Sequence, residues 1–117
     1  MFEKNLFKNQ TVLVTGGGSG IGYEIARQFL ACGATVYIAS RKKERLEQAM
    51  LTLHPLGNVK AFVLDIRQPE NVAQLADTIA AESGKLDILI NNAGGQFPAP
   101  AEAISLNGWN AVVNTNL

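Results

Sequence analysis

Thr11-Val12-Leu13-Val14-Thr15-Gly16-Gly17-Gly18-Ser19-Gly20-Ile21-Gly22 begins as a short β-branched apolar run and breaks into glycine. The run has the composition of a strand buried on both faces. After the glycines, Ile21, Ile25, Ala26, Phe29 and Leu30 recur at helical spacing, and Gly33 stands where a left-handed helix cap is wanted. A glycine turn between a strand and a helix is where a dinucleotide pyrophosphate can rest on free backbone N–H groups at a helix N-terminus. The glycines serve separate ends. Gly16 suits the backbone angles of the tight turn, Gly20 the approach of the main chain to phosphate, and Gly22 close helix-to-strand contact. A P-loop would need Lys and then Ser or Thr after its last glycine, and Tyr23-Glu24 follow instead.

Strand-then-helix repeats outward from this turn. Thr35 to Ala39 reads as a second strand, with Leu46, Ala49, Met50 and Leu53 marking the inward face of a second helix. Val59 to Leu64 reads as a third strand. Pro69 suits the first turn of a third helix, whose stripe is Val72, Leu75, Ala76, Ile79 and Ala80, and Leu86 to Ile90 reads as a fourth strand. The spacing of Trp109, Val112, Val113 and Asn116 predicts one face of a last helix. Such alternation predicts an α/β fold, a Rossmann-type parallel sheet of about four strands with helices on both faces and right-handed crossovers. The whole of residues 1–117 is expected to form one domain.

Composition sets the limits. With 117 residues, 47% of them apolar, and net charge zero, the chain has room for one modest core. Its basic residues form no cluster suited to nucleic acid, and no apolar stretch is long enough to span a bilayer. Charge interrupts Met1 to Phe7 too early for a signal peptide, so the expectation is a cytoplasmic protein. Cys32, the single cysteine, excludes an intrachain disulfide and a cysteine-rich metal site, and reads as a small buried apolar residue. No metal ligands are expected.

The glycine turn, Asp65 after the third strand and Asn91-Asn92-Ala93-Gly94 at the end of the fourth together resemble the short-chain dehydrogenase/reductase family. The resemblance runs from about Leu6 to Leu117 and implies the first half of a family member. It implies that Gly16, Ser19, Gly20 and Ile21 meet the cofactor phosphates and ribose, Asp65 and the Ile66 backbone the adenine, and Asn91, Ala93 and Gly94 the ribose region. The residues agree in part. Asp65, read as ending a buried strand at the carboxyl edge of the sheet, can accept from an exocyclic amine, or can equally cap a helix or a loop. Asn91 and Asn92, set into an apolar strand, need hydrogen-bond partners and can be structural hubs.

Cofactor preference is legible after the second strand. An acidic residue about 20 positions past the glycine turn would hold the ribose hydroxyls of NAD and repel a 2′-phosphate. The chain has Ala39-Ser40-Arg41-Lys42 there, a hydroxyl and a guanidinium fork suited to phosphate, so NADP(H) is expected, with Ser40 and Arg41 as readers and Lys42 as a helper. Lys43 and Arg45 read as a solvated helix face.

The segment from Asn91 to Pro100, with Gly108-Trp109, resembles the family branch of peroxisomal trans-2-enoyl-CoA and 2,4-dienoyl-CoA reductases. That implies hydride delivery to an activated double bond of an acyl-CoA, whose developing enolate needs hydrogen-bond donors. Gln96 and Phe97 suit an amide donor and an apolar wall, or an ordinary Pro-bounded loop. Trp109 and His54 read as packing and loop residues. In the family's Asn-Ser-Tyr-Lys set, Asn116 matches the asparagine. The 117 residues contain no Tyr-x-x-x-Lys: Tyr23 and Tyr37 are each followed four positions on by arginine, which does not release its proton. The expectations are a cofactor-binding half with negligible activity alone, and a bare fourth strand that drives homo-oligomerisation or folding with a carboxy-terminal half. The alternative is a non-catalytic dinucleotide-binding or interaction module.

Overall fold

A computed structural model describes residues 5–18 and 20–92, and residues 112–114 as backbone. Chain order is β1 (Thr11–Thr15), α1 (Gly20–Ala31), β2 (Thr35–Ser40), α2 (Lys43–Leu53), a single 3-10 turn (His54–Leu56), β3 (Val59–Val63), α3 (Pro69–Ser83), β4 (Ile88–Asn91) and β5 (Val112–Asn114). The strands form one sheet in the order β3-β2-β1-β4-β5. Every pairing is parallel, as strand–helix alternation requires.

Side-chain alternation along β1 divides the core in two. Val12 and Val14 point to one face, where Ala26 and Leu30 of α1 and Leu46, Ala49 and Leu53 of α2 cover them. Leu13 points to the other, against Val72, Leu75, Ala76 and Ile79 of α3. All five residues of β1 are buried, which makes it the central strand that its sequence predicts. Each fully buried Leu, Ile or Val contributes about 1.5–3 kcal/mol relative to exposure, so this shared core holds the turn after β1 in place. Cys32 is buried beyond the end of α1, as expected of a small apolar residue.

Two expectations are corrected. Val59–Val63 is the outer strand of the sheet and is mostly exposed, so Asp65 follows an edge strand rather than a buried one. Val112 and Val113, placed by spacing on a helix face, lie in β5, which pairs Leu89 with Val112, Ile90 with Val113 and Asn91 with Asn114. β-branched residues favour extended backbone, and the outer side of β4 offers unpaired N–H and C=O groups. Ladder pairing outweighs the helical spacing there, and β4 is not the bare edge that was expected. Trp109 and Asn116, the other members of the proposed helix face, lie outside the described residues.

Candidate dinucleotide site

The chain runs from β1 outward to β3 and then crosses back to β4 on the other side of β1. The order reverses between β1 and β4, and in open α/β sheets ligands bind in the crevice at the carboxyl ends of the strands flanking such a point. The glycine turn leaves β1 there, and Asn91-Asn92 ends β4 beside it.

Gly16 has φ +75° and donates its N–H to the Ala39 carbonyl at 2.7 Å, tying the turn to β2. Gly20 opens α1 with φ +61°, and a Cβ there would meet nothing within 4 Å among the described residues. Left-handed angles and open space above the first helical residue suit the close approach of a phosphate. The first turn of α1 carries no acidic side chain to repel one. Gly22 packs in the opposite direction: a Cβ would collide with the Gly16 carbonyl oxygen and stand 3.0 Å from Asn92 Nδ2. Gly17, to which sequence reasoning gave no role, faces Ile38, whose Cγ2 would be 2.6 Å from an added Cβ. Ile21 is 47% exposed at the mouth of the turn.

Thr15 locks β1 to β4. Its fully buried hydroxyl donates to Asn91 Oδ1 at 2.8 Å and accepts the Asn92 N–H at 3.0 Å. Asn91 is thus a structural hub, one of the two roles its sequence position suggested. Sequence reasoning missed Thr15 itself, because its partners lie 76 and 77 positions away.

At the end of β2, Ser40 is partly buried and its hydroxyl oxygen accepts the Lys42 N–H at 3.2 Å, which leaves the hydroxyl proton available to a ligand. Arg41 is exposed and lines an open cleft of about 520 Å³ with Lys42, Lys43, Glu44, Arg45 and Gln48. Lys42, Lys43 and Arg45 are exposed, as a solvated helix face requires, and basic side chains outnumber acidic ones in the lining.

Asp65 begins a turn closed by the Gln68 N–H on the Asp65 carbonyl at 3.3 Å. Its carboxylate is gripped by Arg67. The backbone N–H and Nε of Arg67 both reach Oδ1 at 3.1 Å, and Nη2 reaches Oδ2 at 3.2 Å. These side-chain hydrogen bonds, then the backbone N–H, then the charges of Arg67 and Arg41, hold the carboxyl below its ordinary range despite opposition from burial. Asp65 is therefore an ionised acceptor at neutral pH, and Arg41 is near enough to influence it. Ile66, next in the turn, packs partly buried against the α3 side of the core.

The structure thus brings Gly16, Gly20, Ile21 and Asn91 to the crevice, and Ser40, Arg41, Asp65 and Ile66 to the ends of the two strands beyond it. Ser19, Ala93, Gly94 and Asn116 lie outside the described residues, as do Gln96 and Phe97.

The family model for short chain dehydrogenase matches residues 10–117, which include every element of this crevice. The chain belongs to the short-chain dehydrogenase family. It is 41% identical over 115 residues to the peroxisomal 2,4-dienoyl-CoA reductase of Arabidopsis thaliana, covering 97% of this chain and 38% of that protein. Among solved structures, it is similar to the citronellol catabolism dehydrogenase of Pseudomonas aeruginosa, with TM-score 0.74 and 42% identity over 92% of this chain and 44% of that one. It is also similar to the Pseudomonas aeruginosa RhlG/NADP active-site complex, with TM-score 0.69 and 35% identity over 80% of this chain and 38% of that one. The structural neighbours include complexes with NADP and with NADH. The chain spans about two fifths of the length of the curated relatives it matches. The expected family and Rossmann-type fold are therefore both observed.

Proposed function

We propose that this chain is the NADP(H)-binding part of an oxidoreductase that reduces an enoyl- or dienoyl-CoA-type substrate. The observation that carries the cofactor reading is the end of β2, where Ser40 and Arg41 stand in the position of the carboxylate that would select NAD, with Arg41 on the basic cleft. The pyrophosphate rests on the N–H groups at the start of α1, the 2′-phosphate on Arg41 and Ser40, and the adenine near Asp65 and Ile66. When bound, the nicotinamide supplies hydride chemistry. This chain's residues bind and orient the cofactor, with Thr15 holding β4 and Asn91 against the turn. The substrate class rests on the dienoyl-CoA reductase relatives.

Titration calorimetry with NADPH and NADH tests the cofactor reading. NADPH should bind more tightly, and Arg41→Ala should weaken it by about 1.5–3 kcal/mol, the worth of a hydrogen bond to a charged group, with NADH nearly unaffected. Equal losses for both cofactors would sink the reading.

A further inference from the structure

The turn after β3 carries a contact that the cofactor reading leaves unexplained. Exposed ion pairs contribute little to stability, so stability alone gives little reason for a fixed contact here. Arg67 nevertheless folds back on Asp65 with one backbone and two side-chain donors, although its side chain remains 50% exposed. The Asp65 main chain is held as well: its carbonyl accepts from the Gln68 N–H at 3.3 Å and from Asn71 Nδ2 at 3.2 Å, the latter from the first turn of α3. Backbone and carboxylate are therefore fixed together at the carboxyl edge of the sheet.

A carboxylate has about four acceptor sites, two on each oxygen. Arg67 takes both on Oδ1 and one on Oδ2. Among the described residues one remains open, on Oδ2, with its direction set by the guanidinium plane. The side chain of Asp65 is 34% exposed, so an incoming donor can reach it. Because the group is ionised, it accepts and cannot donate.

We infer that Arg67 is a positioning residue for base selection: it orients the Asp65 carboxylate so that Oδ2 accepts one N–H from a purine 6-amino group and rejects a 6-oxo group. The inference rests on the reading that places the adenine at Asp65. It adds that selection depends on a guanidinium that need not touch the cofactor. Against a 6-oxo base, two acceptors face each other with neither able to rotate into a donor, which is the arrangement that makes hydrogen-bond selection steep. Arg67 also offsets the charge of Asp65 beside Arg41, so that a carboxylate can stand near a 2′-phosphate without repelling it.

The test compares binding of NADPH with that of its 6-oxo analogue, reduced nicotinamide hypoxanthine dinucleotide phosphate, by calorimetry on the full chain. The ratio of the two dissociation constants is the readout, because a merely structural loss weakens both ligands and leaves their ratio unchanged. The native chain should prefer the 6-amino base by on the order of tenfold to a hundredfold. Arg67→Ala should bring the ratio close to one. Arg67→Lys, which keeps charge but not the fork, should restore it only in part. Asp65→Asn, whose amide can present a donor to a 6-oxo group, should remove or reverse the preference. A ratio that collapses with Asp65→Asn and stays native with Arg67→Ala overturns the inference alone. A ratio unmoved by Asp65→Asn, or near one in the native chain, overturns both the inference and the placement of the adenine. If Arg67→Ala does not fold, as circular dichroism would reveal, Arg67→Lys decides, and a native ratio in that variant refutes the need for the fork.

Discussion

Gly20 and Gly22, two positions apart, should respond differently to the same added methyl group. At Gly20 the methyl meets nothing within 4 Å among the described residues, and the cost comes from φ +61°. A non-glycine residue in that region costs about 1–2 kcal/mol. In a domain of this size each kcal/mol lowers the melting midpoint by roughly 4 °C, so Gly20→Ala should stay folded at room temperature with its midpoint reduced by roughly 4–8 °C. Gly22→Ala drives its methyl into the Gly16 carbonyl, whose carbon would lie at 2.7 Å, and toward Asn92 Nδ2 at 3.0 Å. The obstacle is main chain pinned by the hydrogen bond from Gly16 to Ala39, so it cannot turn aside as a side chain would. Overpacking of a well-packed core costs about 1–3 kcal/mol where side chains can shift, and this site, where main chain blocks the methyl, should reach or exceed the top of that range. Binding should separate the variants further: with the pyrophosphate over Gly20 as proposed, Gly20→Ala should remain folded but lose affinity for NADPH and NADH alike by about tenfold or more, because its methyl would take that space. Thermal melts and fluorescence titration are the assays. Native affinity in Gly20→Ala, or native stability in Gly22→Ala, would refute the reasoning.

Two further outcomes follow from side-chain contacts. Thr15→Val keeps the shape but strands the partly buried Asn91 Oδ1 and the Asn92 N–H, so it should cost about 1–3 kcal/mol in chemical denaturation and loosen the β1–β4 junction, and an unchanged midpoint would count against that lock. Glu24, which Arg27 and then Gln28 hold down from 4.5 to about 2, gives stability that is full above pH 4.5 and disappears as pH falls through about 2. Wild type and Glu24→Gln should therefore differ slightly at neutral pH and converge in acid, and a difference that widened on acidification would contradict the sign.

How much of this was legible in the sequence depended on how local the cause was. The β1 run Val12-Leu13-Val14 reads as buried on both faces and is, because its central place goes with the parallel folds that such runs build. α3 followed its apolar stripe and α1 did from Ile25 onward, while Ile21 is exposed, and the glycine turn declared itself through the elements on either side. The residues of β3 did not themselves show its edge position: Val59, Ala61, Phe62 and Val63 look like a buried strand, and it is the sheet order, which the family resemblance implies, that leaves them at the rim. β5 was misread because Val112 and Val113 fit a helical spacing, while the unpaired side of β4 that captures them is remote in sequence. Thr15 hid its partners for the same reason. Arg67 could have been found, since Asp-x-Arg at the start of a turn lets the arginine reach back to the aspartate, but nothing in a spacing says that it does.

The central claim is that a dinucleotide lies across the ends of β1 and β2 with its 2′-phosphate on Arg41. Backbone amide shifts of the labelled chain, followed by NMR during titration with NADPH and then with NADH, test it most directly. Both cofactors should shift Gly16, Gly20, Ile21 and Gly22, and NADPH alone should strongly shift Ser40, Arg41 and Lys42. Shifts at Ser40 to Lys42 that are the same for both cofactors, or a glycine turn that neither perturbs, would contradict it.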